Sequence, residues 1–229
     1  VLNDDQRIHQ TQYTQPLVFF TTFLIYETLK KLHLKIDGTL GFSLGEYSAL
    51  YVAEVFDFDT LITLIERRSS FMDESSRHHI GTMAAILGLT SEEVISLCQS
   101  CEHEVYPANF NSPEQTVISG TLEGVKEASI KAREFGAKRA IPLAVSGAFH
   151  SPLMEQASRD FFEVIKEIHP REPKYPLYLN TTALPCEINA LTDEMTKQMM
   201  SPVRFHEAIL NMKKDGFTHF LEIGPGKTL

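Results

Sequence analysis

The chain has 229 residues, enough for one substantial domain or for a large domain that carries a smaller insert. Apolar residues make up 43% and charged residues 22%, the composition of a soluble globular protein. The net charge of −9 argues against a nucleic-acid partner, which would favour a basic face. No apolar run reaches membrane-spanning length, since the longest candidate, residues 17–26, contains two threonines.

The cysteines and histidines do not form a complete metal-binding pattern. Cys98 and Cys101 form a C-x-x-C pair, which could be a redox pair or half of a zinc site, but Cys186 stands alone and cannot complete four ligands. His78 and His79 are not part of a recognisable metal-binding motif. We therefore expect no metal and no cofactor. Three cysteines and no visible signal peptide predict a cytoplasmic protein.

The first helix is predicted to begin at Thr14-Gln15-Pro16, because proline is tolerated in the first helical turn. It would run to about residue 32. Apolar residues occupy most of its sides, which predicts deep burial. A strand candidate follows at residues 34–40.

A Gly-x-Ser-x-Gly pattern, the signature of a nucleophile elbow, spans residues 41–45. In such a turn between a strand and a helix the hydroxyl of Ser43 is exposed, and a Cβ at Gly41 or Gly45 is expected to crowd the turn. The N–H of Leu44 would begin the next helix and point at whatever the serine attacks. By itself the pattern is about equally compatible with an ordinary strand–turn–helix junction.

The helix after that of the elbow is capped by Asp57 or Asp59 and carries a charged residue on its apolar face. At 100° per residue one stripe is formed by Leu61, Leu64, Ile65 and Met72. Arg68 falls at the centre of this stripe. A buried arginine keeps its charge and needs an anionic partner or several acceptors. A structural ion pair and an anion receptor are comparable interpretations of this residue.

Short regular elements fill the region from residue 82 to residue 146. Strands are predicted at residues 82–89, 104–110, 115–119 and 138–145. A capping box at residues 90–93 opens one helix, and Thr121 opens a second that ends at Gly136. The order β-α-β-β-α-β is ferredoxin-like. We predict a small ferredoxin-like subdomain, residues 81–146, inserted into a large α/β subdomain made of residues 1–80 and 147–229.

The last third of the chain begins with Gly147-Ala148-Phe149-His150 and a helix to about residue 168. A short strand is predicted at residues 177–180 and two helices near residues 194–200 and 205–214. A final strand at residues 217–223 would end at Gly224-Pro225-Gly226.

These stretches, in this order, closely resemble malonyl-CoA:acyl-carrier-protein transacylases and the acyltransferase domains of fatty-acid and polyketide synthases. The resemblance runs from about residue 15 to residue 229. The matching stretches are residues 41–50, Arg68 with Phe71-Met72, residues 83–86, residues 109–113, Gly147-Ala148-Phe149-His150, Ser201-Pro202-Val203 and residues 222–226. It implies an α/β-hydrolase-like core with a parallel sheet and an inserted ferredoxin-like subdomain.

The resemblance also implies roles for particular residues. Ser43 resembles the nucleophile that carries the acyl group, and His150 its general base. Arg68 resembles the arginine that holds the malonyl carboxylate. The N–H of Leu44 resembles one half of the oxyanion hole. The backbone carbonyl of Gln198 matches the group that orients the histidine, in place of the carboxylate of a Ser-His-Asp triad.

Two further positions are assigned to substrate binding on the same basis. Phe149 matches the malonyl-preferring form of the tetrapeptide that ends in the histidine, and Asn109 opens one of the matching stretches. Phe42 is a departure, because relatives usually have histidine before the serine; we expect it to be tolerated. The Gly-Gln-Gly-x-Gln loop with which relatives begin is not in this sequence, so the chain looks like a piece of a longer protein.

The implied reaction is ping-pong transfer of a malonyl group from malonyl-CoA to acyl carrier protein, by a monomer. Two other classes of function remain open. An α/β-type serine hydrolase would use the same elbow and would need an acidic residue between the serine and the histidine. A non-catalytic acyltransferase-like docking module is the other alternative.

Overall fold

The computed structural model describes residues 10–226. The two ends of the predicted large subdomain, residues 1–9 and 227–229, lie outside the described residues. The helices of this part are α1 (Thr11–Lys30), α2 (Gly45–Val52), α3 (Phe58–His78), α4 (Ser91–Gln99), α5 (Leu122–Glu134), α6 (Glu155–Ile165), α7 (Leu191–Lys197) and α8 (Phe205–Lys214). Its strands are β1 (Thr39–Leu40), β2 (Gly81–Leu87), β3 (Val105–Ser112), β4 (Gln115–Thr121), β5 (Arg139–Pro142) and β6 (Leu177–Tyr178). Short 3-10 helices lie at Pro152–Met154, Ile188–Ala190 and Gln198–Met200.

A short parallel sheet organises the larger part of the molecule. β1 pairs with β6, with Thr39 opposite Leu177 and Leu40 opposite Tyr178. Helices α1, α2, α3 and α6 contribute to one apolar core beside it, which includes Phe19, Leu50 and Phe161. The loops that follow β1 and β6 therefore lie side by side at the carboxyl ends of two parallel strands.

A second sheet is antiparallel, with the strand order β3-β4-β2-β5. Helices α4 and α5 pack on one face of it over a separate apolar core. Both helix starts predicted from the sequence are confirmed: Thr90 and Glu93 form the capping box, and the Thr121 hydroxyl accepts the Gly124 N–H at 3.0 Å. The sheet's other apolar cluster contacts Phe149.

The prediction for α1 is wrong in two respects. The helix begins at Thr11, so Pro16 lies inside it. Proline cannot donate to the carbonyl one turn back, and that carbonyl, on Gln12, accepts the Ser69 hydroxyl instead at 3.5 Å. Deep burial holds for one face, while the opposite face is 39–49% exposed at Leu17, Phe20 and Leu24. No helix within residues 10–226 is both long and apolar enough to cross a membrane.

The strand predicted at residues 217–223 is also wrong. The segment is irregular, and Phe220 and Leu221 are 47% and 66% exposed. A strand exists only when its backbone pairs with a neighbour, and no strand of residues 10–226 pairs with this segment. Its apolar residues are thus not sufficient to form a strand here.

Candidate active site

The turn after β1 holds Ser43 in a left-handed backbone conformation, with φ at +51°. Such a conformation is costly for a residue with a side chain and persists only when its surroundings enforce it. Asn180, in the loop after β6, supplies the restraint. Its Oδ1 accepts the Ser43 N–H at 2.7 Å and its Nδ2 donates to the Gly41 carbonyl at 2.6 Å. The parallel pairing of β1 with β6 therefore positions the elbow.

The two glycines of the pattern have different requirements. A Cβ at Gly41 would lie 2.0 Å from the carbonyl carbon of Gly45, so the tight turn demands glycine there. The same expectation for Gly45 is wrong, because a Cβ at that position would meet no heavy atom within 4 Å. Gly45 is the first residue of α2, and its α-carbon faces open space.

The imidazole of His150 lies directly beside the serine. Its Nε2 is 2.7 Å from Ser43 Oγ, and its Nδ1 is 2.9 Å from the backbone carbonyl of Gln198. A carbonyl only accepts, so Nδ1 carries the proton and Nε2 is left to accept the serine hydroxyl. Burial, and next the charge of Arg68, lower the pKa of His150 to about 4. The imidazole is therefore neutral at neutral pH and can accept a proton.

Arg68 lies on the buried stripe of α3, as predicted, with 1% of its surface exposed. Its Nη2 is 3.0 Å from the side-chain oxygen of Gln198 and 3.4 Å from Ser43 Oγ. Its Nη1 donates to the side-chain oxygen of Gln15, and its guanidinium carbon lies 5.4 Å from the centre of the Tyr47 ring. No ion pair within the described residues includes Arg68. The cation is held by neutral oxygens and faces the serine, so it can receive an anion.

Leu44 follows the serine at the entrance to α2. Its N–H has no acceptor among residues 10–226, whereas the N–H groups of Gly45 and Glu46 bond to the carbonyls of Phe42 and Ser43. Free N–H groups at a helix start carry partial positive charge. This group is available to an oxygen anion that develops beside Ser43.

The side chain of Gln198 is fully buried and links three parts of the site. Its Nε2 donates to the Ser43 carbonyl at 3.0 Å and to Glu46 Oε1 at 2.9 Å. The other carboxylate oxygen of Glu46 accepts the backbone N–H of Asn180 at 2.6 Å. The sequence interpretation missed Glu46, Asn180 and Gln15 as site residues. Glu46 and Gln15 could have been noticed as polar residues in otherwise apolar helices, while Asn180 carries no comparable signal.

Phe149 and Asn109 are the two further residues assigned to substrate binding. Phe149, next to His150, is half-buried. It packs against the core that includes Phe19 and Leu50 and also against the second apolar cluster of the antiparallel sheet. Asn109 is buried in β3, where it forms a bridge with Val203. No hydrogen bond within the described chain joins the Asn109 side chain to Ser43, His150 or Arg68, so its assignment stays a prediction.

Phe42, which stands where relatives usually have histidine, is part of an aromatic pair. Its ring meets that of Phe205 edge-to-face, with centroids 5.5 Å apart and planes at 78°. This is the favourable geometry for two aromatic rings. The side of the elbow next to Ser43 is thus apolar at this point.

The cysteines and acidic residues of the described chain form no metal centre. No group of three or more histidine, cysteine, aspartate or glutamate side chains in residues 10–226 is arranged to hold a metal ion. Cys98 is buried and Cys101 half-buried, both as free thiols, and burial raises the pKa of each. These thiols are poor nucleophiles at neutral pH.

A strained serine, a neutral imidazole that can take its proton, a free helical N–H and a buried arginine thus meet at one point. This is the geometry of an enzyme that transfers an acyl group through a serine ester. The arginine in addition suits an acyl group that carries a negative charge.

Comparison with known proteins agrees with this class. A family model for the acyl transferase domain matches residues 1–229, and the chain belongs to that family. The malonyl CoA-acyl carrier protein transacylase of Bacillus subtilis (strain 168) is 40% identical over 230 residues, which cover 99% of this chain and 73% of that protein.

Solved structures are similar over the same extent. MCAT from Streptococcus pneumoniae matches with a TM-score of 0.93 and 37% identity, over 98% of this chain and 74% of that one. A malonyl-transacylase in complex with its type II polyketide acyl-carrier protein matches with a TM-score of 0.93 and 34% identity, over 98% and 74% of the two chains.

Proposed function

We propose that this chain transfers a malonyl group from malonyl-CoA to the phosphopantetheine thiol of acyl carrier protein, in fatty-acid or polyketide synthesis. The observation that carries the proposal is the placement of Ser43 Oγ, 2.7 Å from His150 Nε2 and 3.4 Å from Arg68 Nη2. A nucleophile with its base, beside a buried cation, suits an acyl group that bears a carboxylate.

The reaction takes place in two transfers through one ester. His150 accepts the Ser43 proton as Oγ attacks the thioester carbon of malonyl-CoA, and the CoA thiolate leaves with a proton returned by the imidazole. The carrier's thiol then gives its proton to His150, attacks the malonyl ester, and Ser43 Oγ leaves and is reprotonated. The N–H of Leu44 donates to the oxyanion in both steps.

Four residues position the reactants without exchanging protons. Arg68 holds the malonyl carboxylate through its planar pair of N–H donors, which keeps the ester in one pose and favours transfer over hydrolysis. The carbonyl of Gln198 keeps His150 in the reactive tautomer. Phe149 and Asn109 line the substrate's path where the two parts of the molecule meet.

For the fold we propose an α/β-hydrolase-like core, residues 1–80 and 147–229, with a ferredoxin-like subdomain at residues 81–146. The separate apolar core under α4 and α5 and the β3-β4-β2-β5 order support the insert. We further propose that the protein acts as a cytoplasmic monomer, which its three free thiols suit.

The observations favour this function over a serine hydrolase. A hydrolase of the α/β type would hold the histidine with a carboxylate, whereas Nδ1 of His150 meets a backbone carbonyl. An inert docking module has no need of the strained Ser43 or of the buried Arg68, both of which cost stability.

Mass spectrometry of the intact protein tests the proposal. After incubation with malonyl-CoA the chain should carry one malonyl group, and addition of acyl carrier protein with its phosphopantetheine arm should move that group to the carrier's thiol. Release of free malonate without transfer would indicate a hydrolase. A chain that gains no malonyl mass would contradict the proposed function.

A further inference from the structure

Glu46 is a carboxylate in a place where a carboxylate is costly. It lies on α2, one turn after Ser43, and only 2% of its surface is exposed. No ion pair of the described chain includes it. Burial raises its pKa to about 7, against hydrogen bonds and the charge of Arg68, which favour the ionised form. A buried carboxyl group is tolerated only where hydrogen bonds offset the loss of its solvation.

Stabilisation of the first turn of α2 does not explain the contacts of Glu46. An acidic residue in the first turn can stabilise a helix through the free N–H groups there. Glu46 instead directs both oxygens at other segments: Oε2 accepts the Asn180 N–H at 2.6 Å and Oε1 accepts Gln198 Nε2 at 2.9 Å. It ties together the two loops that restrain Ser43 and His150.

The contact with Gln198 decides which way that amide points. Gln198 Nε2 faces two acceptors, Glu46 Oε1 and the Ser43 carbonyl, while its Oε1 accepts from Arg68 Nη2 at 3.0 Å. A flipped amide would set an oxygen against two acceptors and an NH₂ against a guanidinium. The amide therefore bridges the buried carboxyl group of Glu46 and the buried guanidinium of Arg68.

We infer that Glu46 is a positioning residue of the transfer reaction: through the Gln198 amide it aligns Arg68 for the substrate carboxylate and holds the segment whose carbonyl orients His150. This inference rests on the proposed function. It requires that the effect of Glu46 pass through Gln198, and that it be larger for an acyl group that binds Arg68 than for one that does not.

The test compares Glu46→Gln, which keeps shape and removes charge, with Glu54→Gln as the matched control. Glu54 follows α2 and is paired at the surface with Lys174. In rapid-quench measurements of ester formation, Glu46→Gln should slow malonyl loading about tenfold or more, the scale of a lost charge-assisted bond. Acetyl loading should fall less, and Glu54→Gln should load like the wild type.

A double-mutant cycle with Gln198→Met shows whether the amide carries the effect. In the Gln198→Met background, the added Glu46→Gln change should alter malonyl loading by less than about twofold. Additive losses, or an unchanged malonyl-to-acetyl ratio with a lower melting temperature, would mean that Glu46 only supports the fold and would overturn the inference. If Glu46→Gln does not fold, Glu46→Asp takes its place, because the shorter side chain can make only one of the two hydrogen bonds. Malonyl loading by Glu46→Asp at the wild-type rate would equally overturn the inference. Failure of the wild type to load malonyl would count against the proposed function itself.

Discussion

Two polar networks in this protein use similar groups in opposite surroundings. The buried network lies around Ser43 and consists of Glu46, Arg68, His150, Asn180 and Gln198. The surface clamp joins α5 to the loop before β3 and consists of Glu127, His103 and Lys131. In each network a glutamate accepts several hydrogen bonds.

The pKa values of the two glutamates move in opposite directions. Burial raises that of Glu46 to about 7. Hydrogen bonds from Lys131, and next from His103, lower that of Glu127 to about 2. The surroundings of Glu127 stabilise its ionised form, whereas the burial of Glu46 destabilises its ionised form. A carboxyl group that is buried at a cost, beside a strained serine, is what distinguishes the buried network from the surface clamp.

The largest effect expected is loss of the ester when its two central residues are changed. Ser43→Ala removes the hydroxyl that we propose carries the acyl group, so no malonyl mass should appear on the chain. His150→Ala should slow acylation on the order of 10²–10⁴-fold, the usual contribution of a general base. Intact-mass measurement and rapid quench check the two variants, and a malonyl ester on the Ser43→Ala protein would refute the assignment of Ser43.

The buried network should also be recognisable in the pH dependence of stability. The pKa of His150 is about 4, below its ordinary 6.5, so the unfolded chain binds more protons between these values. The stability that neutral His150 contributes is therefore complete above pH 6.5 and is lost as the pH falls towards 4. The raised pKa of Glu46 acts in the opposite sense between pH 4.5 and 7 and partly hides this loss in the wild type.

Comparison with His150→Gln isolates the histidine's share. When the pH is lowered from 7 to 4.5, the wild type should lose on the order of 2–3 kcal/mol more unfolding free energy than this variant does. Urea unfolding at the two pH values measures it. A difference that does not depend on pH would show that His150 is not held neutral by burial.

The smallest effect is expected in the surface clamp. Glu127→Gln keeps an acceptor for Lys131 and His103 but removes the charge, so the melting temperature should fall slightly. The rate of malonyl loading should remain that of the wild type. A loading defect in this variant, with its fold intact, would end the distinction drawn between the two networks.

Much of the fold follows from local signals that the sequence carries openly. The helix starts at Thr90 and Thr121 depend on side-chain hydrogen bonds to the backbone of the same helix. The buried stripe of α3 depends only on the spacing of its apolar residues. These were predicted correctly. The strand at residues 217–223 was not, because a strand depends on a neighbour that its own sequence does not specify.

The same division holds for the site. The elbow and Arg68 could be predicted, since a turn pattern and a charge on an apolar stripe are local. Asn180 could not, because its role arises only when β6 pairs with β1. Glu46 was visible in the sequence, but its meaning depends on Gln198, which lies 152 positions further along the chain.

The central claim is that the buried network is built to hold an acyl group with a carboxylate beside Ser43, and Arg68→Ala tests it most directly. Malonyl and acetyl loading are measured side by side in the wild type, in Arg68→Ala and in the exposed neighbour's variant, Arg67→Ala. A paired arginine–carboxylate contact is worth roughly 1.5–3 kcal/mol, so Arg68→Ala should lose about one to two powers of ten in malonyl loading. Acetyl loading should be kept or improved, and Arg67→Ala should match the wild type. An unchanged malonyl-to-acetyl ratio in Arg68→Ala would contradict the account.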